Sequence, residues 1–169
     1  VADAIPRAPR WRPVFGQSGG EQSVLAREGV GPGDLFLFFG WFAEVQLMDG
    51  AMSFRKGAPN LHVVWGWMQV DSVVQIATGI VPGWAAYHPH VASPQGRRNN
   101  TLYVARECLT LNGVNTELPG AGVMPHYDEK LRLTKPGATR SIWSLPGWFA
   151  PGVDRPALGY HSDQSRWAS

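Results

Sequence analysis

The chain has 169 residues, a length typical of a single domain. Hydrophobic residues make up 44% of it and eight residues are tryptophan, which is enough for a buried core. The formal net charge of +2 is too small to indicate nucleic-acid binding by itself. Glycine, proline or a charge interrupts every apolar run before it approaches the ~18 residues of a membrane-spanning helix, so we expect no membrane partner.

The first 16 residues are predicted to form an irregular arm, because prolines stand at positions 6, 9 and 13. They lack the apolar segment of a signal peptide. A single cysteine, Cys108, excludes an internal disulfide and favours a reducing, cytoplasmic location. It follows the apolar run 103–105 and is expected to be a buried, unreactive thiol.

A helix is predicted over residues 17–27. Ser18 is suited to cap it, Glu21 stands three residues later as in a capping box, and Gly29 is suited to end it. The helix is short and therefore needs to pack on a sheet to be stable.

The most informative stretch is 33–42, which follows a Gly-Pro-Gly turn and is apolar on both of its alternating faces. Such a strand requires cover on both sides, so it is predicted to lie centrally in the core. One face of the strand carries Leu35, Leu37, Phe39 and Trp41, and the other carries Phe36, Phe38 and Phe42.

A second apolar run, 62–70, repeats one detail of the first. In each run a glycine stands between aromatic residues, as Phe39-Gly40-Trp41 and as Trp65-Gly66-Trp67. Glycine weakens a strand unless the backbone bends or something passes close to it. The pattern predicts either a tight barrel corner or an aromatic pocket that binds a flat ligand on Trp41, Trp65 and Trp67.

Further strands are predicted at 43–48, 62–76 (bent or bulged), 101–105, 131–134 and 141–145, with a hairpin at 109–113. Residues 49–60 are predicted to be a loop, and 78–99 to be irregular. The fold class predicted is α+β and predominantly β: one domain over 1–169 with a barrel-like, mixed or antiparallel sheet and one or a few short helices.

The sharpest local arrangement is His88-Pro89-His90. On an extended segment both imidazoles lie on one face, roughly 6–7 Å apart at the backbone, a separation that one divalent metal can bridge. The pair is predicted to act as general acid and base or as metal ligands, with a third ligand among His62, His126, His161 and Asp163. Alternatively, Pro89 makes a turn and the histidines hydrogen-bond to backbone.

Two further segments carry polar groups suited to a nucleotide. Arginines in the run 97–100 suit phosphate contacts, and asparagine amides offer the donor and acceptor needed to read a base edge, although an ordinary turn uses the same residues. The loop 15–20 before the predicted helix is suited to an anion but lacks the P-loop pattern and its lysine. The ligand-binding residues predicted from these segments are Phe15, Gln17, Arg97, Arg98, Asn99 and Asn100.

Taken in order, these motifs resemble the nucleotide-modification-associated domain family, the third of its series, found in bacteria and phages. The resemblance covers nearly the whole chain, and it implies that family sequence before residue 1 and after residue 169 is absent. Its motifs are residues 11–17, 31–42, 61–70, 88–90, 99–105, 131–134 and 143–146.

The resemblance implies association with nucleic-acid modification, with a nucleic acid or nucleotide as partner. A looser similarity in strand pattern links the chain to the PUA-like and EVE-type barrels that bind modified bases. We therefore expect a nucleotide or modified DNA base to bind in the aromatic pocket. The alternatives are an enzyme using His88 and His90, or a non-catalytic subunit of a modification or defence complex that contacts a protein partner or a second copy through residues 146–167.

Overall fold

The computed structural model describes residues 7–146, which are mostly β-strand with two short α-helices, so the predominantly β, α+β prediction is confirmed. The helices are α1 (Gly19–Arg27) and α2 (Pro89–Ala92), and 3₁₀ turns lie at Gly83–Ala85 and Glu129–Leu131. The strands in chain order are β1 (Val14–Gln17), β2 (Leu35–Ala43), β3 (Val45–Met48), β4 (Ala51–Phe54), β5 (Asn60–Gln75), β6 (Thr101–Ala105), β7 (Cys108–Leu111), β8 (Val114–Pro119) and β9 (Ala121–Val123).

The strands form one five-stranded sheet and two ribbons. The sheet has the order β1-β6-β5-β2, with β9 paired to β5, and the ribbons are β3-β4 and β7-β8. The chain divides into two compact units, the first made of Val1–Phe36 and Trp67–Gly122 and the second of Leu37–Gly66 and Val123–Ser169. Between residues 7 and 146, no helix has the length and apolar character needed to cross a bilayer.

Strand β6 is the centre of the first unit. It pairs antiparallel with β1 on one side and with β5 on the other, and all five of its residues are buried. Tyr103 packs against Phe15 and Phe36, with ring centroids 6.2 and 5.2 Å away. Its hydroxyl accepts a hydrogen bond from Nε2 of the buried Gln22 and donates one to Oε1, which ties α1 to the sheet.

The prediction that β2 is a central strand covered on both faces is wrong. Strand β2 ends the order of the sheet, and its odd-numbered side chains from Leu35 to Trp41 are 40–61% exposed. Its even-numbered residues Phe36 and Phe38 are half-buried. The run is apolar on both faces, and the described part of the chain covers the odd-numbered face only in part, through contacts such as that of Phe39 with Trp143.

Two tight turns build the ribbons. Asp49 and Gly50, and likewise Asn112 and Gly113, all have positive φ, as a two-residue type I′ hairpin requires. The hairpin predicted at 109–113 is therefore confirmed. The prediction of a loop over 49–60 is wrong for residues 51–54, which form β4 because Asp49-Gly50 returns the chain alongside β3.

Helix α1 confirms the predicted element but not its predicted cap. Ser18 is the N-cap residue, yet its side chain makes no capping hydrogen bond, and its backbone N–H donates to Oε1 of Gln17 at 3.0 Å. The helix ends as predicted at Gly29, whose φ of 70° allows the backbone N–H groups of Gly29 and Val30 to bond to Ala26 and Leu25.

The predicted bulge in β5 is confirmed, and a buried glutamine stands beside it. The register of β5 with β6 shifts between Val70 and Ser72. Just before this shift, the side chain of Gln69 donates from Nε2 to the carbonyls of Gly33 (3.0 Å) and Thr110 (2.9 Å) and accepts the Thr110 N–H on Oε1 (2.7 Å). One side chain thus links β5 to the turn before β2 and to β7.

Three other predictions need correction. Residues 14–16 do not belong to an irregular arm, because they lie in strand β1, which pairs with β6. Residues 131–134 and 141–145 are not continuous strands but contain isolated bridges. Arg132 pairs with Val63 of β5, and Thr134 pairs with Trp143. Cys108 is exposed rather than buried, because it begins a two-stranded ribbon and has a single neighbouring strand.

Candidate functional site

The second unit contains a cavity of about 700 Å³. Its walls come from the end of β2, from β5, and from the segment that follows β9. Most of the lining residues are apolar, and a few of them carry a charge. The lining residues used below are Phe42, Glu44, Trp65, Tyr127, Glu129 and Arg132.

Trp65 is the large aromatic residue in this wall. Phe38 stacks on it, with ring centroids 5.5 Å apart and an interplanar angle of 26°. Its indole edge faces the backbone of Gly40, where a Cβ would lie 3.5 Å from Trp65 Cδ1 and Nε1 and 3.2 Å from Phe42. A Cβ at Gly40 would therefore be in ordinary van der Waals contact with the indole and slightly too close to Phe42, so the position of Trp65 does not itself require this glycine. Trp65 remains 41% exposed.

A chain of polar contacts holds the opposite lining segment. Glu129 accepts a hydrogen bond from the Tyr127 hydroxyl at 2.8 Å on one carboxylate oxygen and pairs with Arg132 at 2.8 Å through the other. Burial, and then the hydrogen bond and negative charge of Glu129, raise the pKa of Tyr127. The phenol therefore stays protonated, and its ring is held at the cavity.

Trp41 and Trp67 do not line this cavity. The ring of Trp41 carries the Arg140 guanidinium 4.2 Å from its centroid, and its indole N–H donates to Asn60 at 2.9 Å. Trp67 belongs to the first unit, where its indole N–H donates to the Pro119 carbonyl at 3.0 Å. Of the three tryptophans predicted to bind a flat ligand, the structure places Trp65 at the cavity.

The predicted histidine pair lies in the first unit at the start of α2, with Pro89 as the first helical residue rather than on an extended segment. The two ring centroids are 5.5 Å apart. Both rings pack on Gly16, where a Cβ would lie only 2.6 Å from His88 Cε1 and from His90 Cδ2. A glycine at this position of β1 is therefore required for the pair to exist.

The hydrogen bonds of the pair define its tautomers. Asn100, which is 7% exposed, donates from Nδ2 to the His90 carbonyl (2.8 Å), so its Oδ1 faces His90 Nδ1 at 2.6 Å and must accept the ring proton. His90 therefore carries its proton on Nδ1 and has a basic Nε2. His88 accepts the backbone N–H of His90 on Nδ1 (3.2 Å), so neutral His88 has a donor at Nε2.

Electrostatics keep His88 neutral. Burial, and then the neighbouring His90 and Arg97, lower the pKa of His88. When both rings are neutral, the cluster formed by Gly16, His88, His90 and Asn100 offers one imidazole acceptor, His90 Nε2, and one imidazole donor, His88 Nε2–H. We call this group the histidine cluster.

The other predicted ligand residues of the first unit lie around the start of α1. The Arg98 carbonyl accepts the Gly19 N–H at 2.7 Å, and Asn99, with a φ of 51°, donates to Ser23 Oγ at 3.1 Å. The Arg97 guanidinium donates to the Ser93 carbonyl at 3.0 Å. Phe15 packs in the core beside Phe36, so it supports the sheet at this point.

Among the described residues, no third metal ligand is found beside His88 and His90. Within residues 7–146, no group of three His, Cys, Asp or Glu side chains is arranged to hold a metal ion. His62 and His126 belong to the second unit, and His161 and Asp163 lie outside the described residues.

His62 makes folding stability depend on pH. Its Nδ1 accepts the Trp143 indole N–H at 3.0 Å, and burial, followed by Arg140, lowers its pKa from 6.5. The unfolded chain then binds the proton more readily, so the contribution of His62 is fully present above pH 6.5 and is lost as the pH falls through the folded-state pKa. His88 acts with the same sign.

We therefore expect the free energy of unfolding, measured with urea, to decrease as the pH is lowered from 7.5 to 5. The variant His62→Asn serves as the control, because an amide oxygen accepts the Trp143 N–H at any pH. Its free energy of unfolding should fall less steeply over this interval. Equal slopes for the two proteins would contradict the role given to His62.

Sequence reasoning missed Tyr127, Glu129 and Arg132 as cavity residues. They lie far along the chain from Trp65 and show no periodic pattern. The available signal was the Pro-His-Tyr sequence at 125–127 directly before an acidic pair, a combination that places an aromatic ring beside carboxylates in a turn.

The second unit thus contains a cavity whose apolar, aromatic and polar lining is typical of small-molecule sites. The chain belongs to the family described as nucleotide modification associated domain 3, whose model matches residues 2–169. No curated protein and no solved structure matches it, so the similarity to PUA-like barrels stays a prediction.

Proposed function

We propose that the chain binds a nucleotide or a modified nucleobase in the cavity of the second unit, with the base stacked on Trp65. The observation that carries this proposal is a tryptophan that is 41% exposed in the wall of an apolar cavity. Membership of a nucleotide-modification family supports this choice of ligand among flat, aromatic molecules.

The dimensions of the cavity suit such a ligand. Small-molecule sites usually measure about 300–1,000 Å³, and this cavity measures about 700 Å³. Stacking a base on an aromatic side chain contributes about 1–3 kcal/mol and tolerates any base. Stacking on Trp65 therefore supplies affinity, and selection among bases requires polar groups.

Glu129 and Arg132 supply those polar groups. A carboxylate accepts from amino groups on a base edge, and a guanidinium donates to carbonyl and ring nitrogen acceptors. Each uses part of its hydrogen-bonding capacity within the protein: Glu129 accepts from Tyr127 and Arg132, and the Arg132 pairing involves Nη1. We propose that the remaining capacity reads the base.

Calorimetric titration tests the proposal. Deoxynucleoside monophosphates, and short oligonucleotides with unmodified or C5-modified pyrimidines, are titrated into the protein. Saturable binding that differs among bases is expected. Absence of binding by every one of these probes would contradict the proposal and would favour the non-catalytic subunit.

The histidine cluster favours a second function, acid–base catalysis on a nucleotide or base. The observation behind it is the fixed pair of tautomers, with the His90 Nε2 as base and the His88 Nε2–H as donor. Pairing with Asn100 makes that amide a positioning group for His90. A base in duplex DNA would have to leave the stack to reach such groups.

Mass spectrometry of nucleotides and DNA incubated with the protein tests this second function. A product is expected with the wild-type chain but not with His90→Gln. The Gly16→Ala variant should also form no product, because the new Cβ displaces both imidazole rings. Product formation that survives both substitutions would show that the histidine cluster is not the catalytic site.

A further inference from the structure

The β3-β4 ribbon of the second unit has one face that is entirely apolar. Val45 stands opposite Phe54, and Leu47 stands opposite Met52, so these four side chains share a face. They are 45%, 76%, 70% and 68% exposed, respectively. We call this surface the ribbon face.

The ribbon carries almost no charge. Between Glu44 and Arg55, which pair with each other at 2.6 Å across its base, the single ionisable residue is Asp49 at the tip. The absence of cations argues against phosphate groups as the partner. An uncharged, apolar face is complementary to another apolar surface of similar size.

We infer that the ribbon face binds the ribbon face of a second copy of this chain. In a two-fold arrangement each surface meets itself, so an apolar face is matched by definition. Met52 at its centre is unbranched and adapts readily to a facing side chain. We place the two-fold axis perpendicular to the length of the ribbons, so that the two ribbons run in opposite directions.

The charges at the two ends of the ribbon fit this antiparallel pairing. Asp49 lies at the tip, and Lys56 follows the base residue Arg55. Neither has an ion-pair partner among residues 7–146. When two ribbons lie antiparallel, the tip of each meets the base of the other, so Asp49 of one copy approaches Lys56 of its partner.

The area of the face indicates a weak dimer. Covering these four side chains removes on the order of 400 Å² of apolar surface from each copy, within the range of the largest patches that monomers leave exposed. The total of about 800 Å² lies below the ~1,200 Å² at which standard stable interfaces begin. We therefore expect a dimer that dissociates on dilution.

Sedimentation equilibrium of the full chain over a wide range of concentrations tests the inference. The wild-type chain should pass from monomer to dimer, and Leu47→Glu should remain monomeric. The matched control is Val114→Glu on the other ribbon, where the side chain is also 68% exposed. It should dimerise like the wild type, and circular dichroism should show that both variants are folded.

The end charges provide a second test. Lys56→Glu should weaken the dimer several-fold at low salt, and the effect should shrink at high salt, where the charges are screened. Asp49→Asn removes the charge, and asparagine is also favoured at this position of the turn. This variant should weaken the dimer less than Lys56→Glu does. A wild-type chain that stays monomeric at every concentration, or a dimer unaffected by Leu47→Glu, would overturn the inference.

Discussion

Replacing Gln69 by leucine is expected to lower the free energy of unfolding by about 3 kcal/mol, since a buried polar group left without a partner costs about 1–3 kcal/mol. Leucine has a similar volume but removes three hydrogen bonds at once. The Gly33 carbonyl and both the N–H and the carbonyl of Thr110 lose their contact with the Gln69 side chain. Urea unfolding followed by circular dichroism measures the change.

Gln75→Leu is the matched control for this experiment. Gln75 lies on the same strand, but its side chain is exposed, so its replacement should change the free energy of unfolding by no more than about 0.5 kcal/mol. If Gln69→Leu were no more destabilising than Gln75→Leu, the hydrogen bonds that link Gln69 to Gly33 and Thr110 would not stabilise the fold.

Replacing Trp65 by alanine is expected to weaken nucleotide binding about fivefold to 150-fold, because base stacking on an aromatic ring contributes about 1–3 kcal/mol. Phe38 loses its stacking partner as well, so some stability is lost. Titration calorimetry with the tightest-binding nucleotide, under conditions in which the wild-type and variant proteins are both fully folded, measures the change in affinity.

Two variants separate stacking from folding in that measurement. Trp65→Phe keeps an aromatic ring and should retain most of the affinity. Trp41→Ala removes an exposed tryptophan of the same unit that does not line the cavity, and it should leave affinity unchanged. Equal losses in Trp65→Ala and Trp41→Ala would place the ligand elsewhere.

Much of the fold was predictable from local pattern. The apolar runs of β2, β5 and β6 and the Asn112-Gly113 hairpin follow from alternation and turn chemistry. The β3-β4 hairpin has the same turn signal at Asp49-Gly50, but the sequence-based prediction for residues 49–60 is a loop. The exposure of β2 was not predictable, because alternation shows that a face is apolar but not whether another element covers it.

The candidate site was also predictable in part. The spacing of His88 and His90 indicated a pair, but the tautomers depend on Asn100 and on the space over Gly16, which are contacts between distant segments. Trp65 was predicted from its glycine neighbour. Glu129 and Arg132 were not, because a salt bridge in a turn has no sequence signature of ligand binding.

Indole N–H resonances measured by NMR during nucleotide titration test the central proposal most directly, because they report the position of the ligand even when binding is weak. We predict that the Trp65 resonance shifts on adding the nucleotide, whereas those of Trp41 and Trp67 do not. Shifts confined to the imidazole resonances of His88 and His90, with Trp65 unchanged, would contradict the assignment of the cavity as the binding site.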